Sequence, residues 1–230
     1  MTGPAQLPLA FGHRPSLDDA DFLVADANRD AVAWIERWPA WPAPALVVHG
    51  PPGCGKTHLA AIWCGRAGAP LLPAAALADA DVPALAGSGR AVAIDAADTV
   101  AGRAAEEALL HLYNLANEGR GHLLLTGRTP PAQWPVALPD LASRVRAAPA
   151  VAVAAPDDAM LAAVLVKLFA DRQVRVGSDV IAFLQARLER SFAAAGRVVA
   201  ALDEAALARR RRITVPLAAE VLGELDRSAG

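Results

Sequence analysis

The octapeptide Gly50-Pro51-Pro52-Gly53-Cys54-Gly55-Lys56-Thr57 fits the pattern G-x-x-x-x-G-K-[ST] at every position. Such a loop works in one setting, between the end of a buried strand and the start of a helix. Both are present. Ala45-Leu46-Val47-Val48-His49 is a short apolar run that stops at glycine, and Lys56–Ala67 reads as a helix. Gly50, Gly53 and Gly55 allow backbone N–H groups to converge on phosphate oxygens, and the helix N-terminus adds its positive dipole. Lys56 can then reach the β and γ phosphates, and Thr57 can hold Mg²⁺. The chain has two lysines, Lys56 and Lys167, and otherwise takes its positive charge from arginine, so background composition did not supply this lysine.

The alternation continues beyond the loop. Pro70–Pro73 is a weak strand and Ala91-Val92-Ala93-Ile94 a clear one ending at Asp95. Ala104–Asn117 is helical and stops before Gly119; His122–Thr126 and Ala150–Val153 are further strands, and Asn28–Trp38 is a helix ended by prolines. Strands alternating with helices imply an α/β fold with a parallel sheet covered by helices. After Pro156 no strand signal remains. Asp157-Asp158 caps a helix running to Asp171, and Ser178–Arg190, Phe192–Ala208 and Pro216–Leu225 are helical. The expected organisation is a flexible tail over 1–15, an α/β domain over 16–155, and a small all-helical lid domain over 156–230.

Composition narrows the class. The hydrophobic share of 54% is inflated by alanine, and no run of about 18 apolar residues could cross a membrane. Met1–Pro15 lacks a basic start followed by an apolar stretch, so no secretory signal is expected. A formal net charge of −2 argues against blanket neutralisation of DNA phosphates. Cys54 and Cys64 match no zinc spacing. A cytoplasmic globular protein is expected.

Two strand ends carry the next candidates. Asp95 is placed to hold Mg²⁺ with Thr57. The following position, where hydrolytic proteins of this kind carry a water-activating acid, is Ala96, and Asp98 is not an obvious replacement. The site should hold nucleotide and turn it over slowly or not at all. Thr126 ends a strand whose C-terminal end lines the ligand crevice of such sheets, where it can contact a γ-phosphate or attacking water.

The order of phosphate loop, Asp95 strand, Thr126 strand, arginine loop and helical lid resembles the AAA+ ATPases, and among them the nucleotide-binding module of DnaA-related proteins. The stretches that carry the resemblance are Phe22–Asn28, the phosphate loop, Ile94-Asp95 with Ala101-Gly102-Arg103, Thr126–Pro131 and Leu141-Ala142-Ser143-Arg144, within a span of Asp21 to Leu225. Two features distinguish the chain from DnaA itself. It ends at Gly230, so no DNA-binding domain is expected after the lid. It begins with Gln6-Leu7-Pro8-Leu9-Ala10-Phe11, which looks like a sliding-clamp-binding peptide, Q-x-x-L-x-F. Gln6 would make polar contacts at a groove rim while Leu9 and Phe11 fill apolar pockets, with Leu7 a further clamp-binding residue of the same peptide. This plan resembles the Hda family of DnaA regulators.

The resemblance implies ADP or ATP with Mg²⁺ as cofactors, DnaA and the β-subunit sliding clamp as partners, at most weak direct DNA binding, and leaves a homodimer open. It implies that Arg144 is an arginine finger, placed in trans at the nucleotide of DnaA, where a guanidinium can be worth about 10³–10⁵ in rate. Arg146 competes for that role. A lid arginine should contact the resident nucleotide. Ungapped matching puts Ala193 at its position, with Arg190 one turn before and Arg197 one turn after. Phe22, Leu23 and Val24 should supply the base pocket, with Asn28 capping the following helix. Arg209–Arg212 reads as a solvated helix end, and Trp34, Trp38 and Trp41 as packing residues. The function so implied is stimulation of ATP hydrolysis by DnaA, a negative control on replication initiation. An ATP-dependent helicase loader of the same superfamily and a P-loop kinase for a small molecule are the alternatives.

Overall fold

Alternation along the central strands sorts their side chains onto two faces, and both are buried. The computed structural model describes residues 23–87, 91–209 and 211–229. Its strands are β1 (Ala45–His49), β2 (Leu71–Pro73), β3 (Ala91–Asp95), β4 (His122–Gly127) and β5 (Ala150–Ala152). They form one parallel sheet in the order β2-β3-β4-β1-β5. In register, Ala45 faces Leu123 and Val48 faces Thr126 across β1 and β4.

Val47, Ile94, Leu123 and Leu125 project to one face, where they meet α4 (Arg103–Leu115) and α5 (Pro139–Ala147) through Leu109, Leu112, Leu141 and Val145. Leu46, Val48, Ala93 and Leu124 project to the other, against α1 (Arg29–Glu36) and α2 (Lys56–Ala67). There Trp63 stacks on Trp41 with ring centroids 5.4 Å apart, and Trp38 meets Trp63 edge-on. A strand apolar on every position is what two covered faces require. A short α3 (Val82–Gly87) leads toward β3.

Beyond β5 the chain is helical: α6 (Asp158–Asp171), α7 (Ser178–Gln185), α8 (Phe192–Arg209) and α9 (Val215–Ala229). Asp157 caps α6 by accepting from the Met160 N–H at 2.7 Å. The lid has its own core of Leu161, Leu165, Phe169, Leu184, Val198 and Leu202. Among the described residues no helix is long and apolar enough to cross a membrane.

Three expectations need correction. The helix expected over Ser178–Arg190 ends at Gln185, because Ser191 begins the next helix: its hydroxyl accepts the Ala194 N–H at 3.0 Å. The segment around Arg144, read as a loop, is helix α5, with Pro139 in its first turn, Asp140 at its N-terminal end and Arg144 and Arg146 in its last turn. Asn28 does not cap α1 with its side chain. Its amide, 1% exposed, accepts from the Ala25 N–H and donates to the Leu23 carbonyl, both at 2.9 Å, fastening the segment before the helix.

Candidate phosphate site and the arginine helix

The three middle strands end side by side, so the loops that follow β1, β3 and β4 share one edge of the sheet. The Gly50–Thr57 loop leaves β1 there. The Gly50 N–H donates to the Gly127 carbonyl at the end of β4, 3.1 Å away. Gly53 and Gly55 sit at φ +71° and +99°, the left-handed region, which turns successive N–H groups in one direction. Lys56 folds back over the loop, with Nζ 2.8 Å from both the Gly50 and the Pro51 carbonyl oxygens.

Thr57, Asp95 and Thr126 come together although they lie far apart in the chain. The Thr57 hydroxyl donates to the Asp95 carboxylate, 3.0 Å from Oδ2 and 3.2 Å from Oδ1. The Thr126 hydroxyl donates to Asp95 Oδ1 at 2.5 Å and accepts from the Ala96 N–H at 2.9 Å. Thr126 is 1% exposed, so its hydroxyl is committed to both contacts. Ala96 is held at φ +55°, ψ +40°, unusual for a residue with a Cβ, and this turns its N–H toward β4. Asp98 is engaged elsewhere: Oδ2 accepts from the Arg128 N–H at 2.9 Å. An all-oxygen pair of a hydroxyl and a carboxylate suits Mg²⁺, which keeps most of its remaining ligands as water and phosphate. Among the described residues there is no group of three or more His, Cys, Asp or Glu that could hold a metal by itself. The residues present therefore fit phosphate-bound Mg²⁺ and not a metal held by protein alone.

Burial raises the Cys54 thiol in the loop, an effect partly opposed by Lys56. Burial also pushes Cys64 in α2 up to about 11. His49, ahead of the loop, is lowered by burial and then by the charge of Lys56.

The lid closes on this loop. The Phe192 N–H donates to the Gly53 carbonyl at 2.8 Å. A Cβ on Gly53 would lie 2.6 Å from the Ser191 Cβ and 3.4 Å from that of Ala193; one on Gly55 would meet the Phe192 ring at 3.2 Å. Between α2 and the lid lies a mainly apolar cavity of about 320 Å³, lined by Leu23, His58, Met160, Val164, Phe192 and Gly196 among others, with Lys167 and Asp171.

Several expected residues are placed differently. Val24 is 39% exposed and does not line the cavity, whereas its neighbour Leu23 does. Alternation along an extended segment allows only one of the two to face inward. Phe22 and the clamp-peptide residues Gln6, Leu7, Leu9 and Phe11 lie outside the described residues. Arg190 forms an exposed ion pair with Asp158, Nε to Oδ1 3.0 Å, and Arg197 is exposed on α8; neither lines the cavity. The lid residue beside the phosphate loop at the matched position is Ala193. Arg209 pairs with Glu220 and lies 4.0 Å from Glu224, as a solvated helix end would.

Arg144 occupies the last turn of α5 and is half-buried, its guanidinium 5.7 Å from the centre of the Tyr113 ring on α4. Among the described residues no carboxylate pairs with it. Glu106, also on α4, had no signal in the sequence. It is 2% exposed, and its carboxylate accepts from the Ala137 N–H at 3.0 and 3.1 Å and from the Leu138 N–H at 2.7 Å, just before α5. Its apolar spacing with Leu109 and Leu112 looks like an ordinary amphipathic edge, and only the fold shows which loop it meets.

Residues 158–222 match the family model described as Hda, lid domain. The C-terminal helices are thus similar to an Hda lid domain. Domain III of the Thermotoga maritima replication initiation protein DnaA superposes with a TM-score of 0.75 at 15% identity, covering 89% of this chain and 94% of that one. AMPPCP-bound DnaA from Aquifex aeolicus gives 0.65 at 17% identity, covering 81% and 63%. The Thermotoga maritima RuvB Holliday junction branch migration motor gives 0.67 at 17%, covering 86% and 68%. The shared architecture is an AAA+ parallel sheet followed by a helical lid, and the lid is of the Hda type.

Proposed function

We propose that this protein binds ADP or ATP between an α/β domain over 16–155 and a lid over 156–230, and regulates DnaA by lending Arg144 to the ATP site of that partner. The observation that carries this reading is an Hda lid on a DnaA domain III fold that also presents, on α5, an arginine with no carboxylate partner among the described residues. Solved relatives of the fold hold AMPPCP or ADP, which supports an adenine nucleotide here.

In the proposed mechanism the resident nucleotide is structural. The N–H groups of the Gly50–Thr57 loop and Lys56 hold its phosphates, and the cavity beside Leu23, Met160 and Phe192 receives the base. Thr57 and Asp95 would hold Mg²⁺, which when bound neutralises β- and γ-phosphate oxygens. Thr126 fixes the Asp95 carboxylate. Ala96 has no side chain able to take a proton from water, so intrinsic hydrolysis is weak or absent. Arg144 acts on the neighbour: its planar fork of N–H donors stabilises charge developing on the transferring phosphoryl group. The peptide Gln6-Leu7-Pro8-Leu9-Ala10-Phe11 tethers the protein to the β-subunit clamp on DNA, bringing Arg144 to DnaA in the cytoplasm only after the replicase is loaded.

The test is DnaA ATP hydrolysis with and without this chain, in the presence of clamp loaded on DNA. Stimulation by the wild-type protein and its loss in Arg144→Ala, with resident nucleotide and clamp binding retained, is the expected result. Undiminished stimulation by Arg144→Ala would remove the finger. Substituting alanine for Gln6, Leu9 and Phe11 should abolish the clamp complex and leave nucleotide binding intact.

A further inference from the structure

A residue that must deliver its charge to another protein cannot be held at home by an ion pair, since a carboxylate would neutralise it and occupy its donors. Arg144 is held differently. Its guanidinium lies over the face of Tyr113, 5.7 Å from the ring centre. An aromatic face attracts a cation without taking up its N–H groups, which stay directed outward in the guanidinium plane.

The helix that carries Arg144 is fixed at its other end by the same neighbour. Glu106 accepts the N–H groups of Ala137 and Leu138, the latter the residue that opens α5. A negative charge there also complements the positive end of the helix dipole. Glu106, Leu109 and Tyr113 lie at i, i+3 and i+7 on α4, one stripe of one helix face. Leu109 is buried with Leu141 and Val145 of α5 in one core cluster. The stripe thus fixes the start of α5 by hydrogen bonds, its middle by packing, and its end by the cation–ring contact.

We propose that Tyr113 and Glu106 are positioning residues for Arg144, holding its guanidinium oriented while leaving its hydrogen-bond donors open for a phosphate. This rests on the trans-acting role proposed for Arg144. Two consequences separate it from a plain packing role. Loss of the ring should lower the maximal stimulated rate and leave the half-saturating concentration unchanged, because α5 still docks. Retention of the ring without its hydroxyl should suffice.

The experiment measures stimulated DnaA hydrolysis as a function of full-length protein for Tyr113→Leu, Tyr113→Phe, Glu106→Gln and Arg144→Ala. Tyr113→Leu is expected to lose roughly tenfold in maximal rate at unchanged half-saturation, and Tyr113→Phe to stay within about twofold of wild type. Glu106→Gln, which places an NH₂ against backbone donors, should fall between them. Full activity of Arg144→Ala would sink the trans-acting role itself; an inactive Arg144→Ala beside a fully active Tyr113→Leu would sink only the positioning claim. Because the chain holds a single tyrosine, a ¹⁹F-tyrosine label reports this contact alone. Its resonance should move in Arg144→Ala and in Glu106→Gln, and an unmoved resonance in Arg144→Ala would overturn the stacking even if Tyr113→Leu failed to fold.

Discussion

The Phe192 N–H donates to the Gly53 carbonyl at 2.8 Å, tying the lid to the middle of the phosphate loop. Ser191 and Phe192 open α8, so this bond makes the lid's orientation and the loop's shape one variable. Gly53 has no room for a side chain: a Cβ would come within 2.6 Å of the Ser191 Cβ, and its φ of +71° already disfavours one. Ser191 cannot retreat, because its hydroxyl caps α8.

Gly53→Ala should therefore unseat the lid. The expected loss is about 1–3 kcal/mol of stability, from overpacking together with left-handed strain. A fall in nucleotide affinity of at least about tenfold should accompany it. Gly68→Ala is the control, sharing the positive φ, +61°, with nothing within 4 Å of the added carbon. Thermal unfolding and titration with a fluorescent adenine nucleotide check both variants; wild-type affinity in Gly53→Ala would contradict the coupling.

The Thr126 hydroxyl joins two strand ends by serving Asp95 and the Ala96 N–H together. Thr126→Val keeps the shape and removes both bonds, leaving the Ala96 N–H without its partner. A cost of about 1–3 kcal/mol is expected in denaturant unfolding, the penalty for a buried donor left unsatisfied. Thr126→Ser should recover most of it. A Thr126→Val protein as stable as wild type would show that the hydroxyl network contributes nothing to the fold.

The sequence makes the centre of the sheet legible because β1, β3 and β4 are runs apolar on both faces, and the phosphate loop legible because its glycines and lysine have no cheaper explanation. Thr57 could be assigned from the phosphate-loop motif and Asp95 and Thr126 from strand ends, and the parallel sheet then brings the three together. What stayed hidden depends on contacts between distant segments. Glu106 is one acid on an amphipathic helix until α5 is placed over it. Val24 and Leu23 are equally apolar, and only the hydrogen bonds of Asn28 decide how their segment lies. The α5 helix is obscured because its sequence, Pro-Asp-Leu-Ala-Ser-Arg-Val-Arg-Ala, spends more residues on polar surface than on core, where only Leu141, Ala142 and Val145 are buried.

Two histidines give the protein a pH dependence of defined sign. His122 is lowered chiefly by burial, beside the Trp38 and Trp41 rings, although its contact with the Pro39 carbonyl works the other way; His49 is lowered by burial and Lys56. Both start from an ordinary value of 6.5 in the unfolded chain. Below that value the unfolded chain binds more protons than the folded one, so stability is full above it and declines as pH falls toward the depressed folded values. The melting temperature should drop between about pH 7 and 5.5, and His122→Phe, which preserves the aromatic contacts, should show a smaller drop. An equal drop in both proteins would remove His122 as a contributor.

Ala193 is where the lid meets the loop without charge. An added carbon on Gly53 would lie 3.4 Å from its Cβ, and Arg190, the nearest preceding arginine, is paired with Asp158. A lid that brings no cation from this position leaves a terminal phosphate to Lys56 and the Thr57–Asp95 pair, so the preference for ATP over ADP should be weak. Ala193→Arg supplies a guanidinium at an exposed position beside the phosphate loop, and each charge-assisted hydrogen bond to a γ-phosphate is worth about 1.5–3 kcal/mol. The variant should thus favour ATP over ADP by roughly tenfold or more. Competition titration of the two nucleotides against both proteins gives the ratio directly. A strong ATP preference already present in the wild type, or none gained by Ala193→Arg, would mean that the γ-phosphate is read from elsewhere than this face of α8.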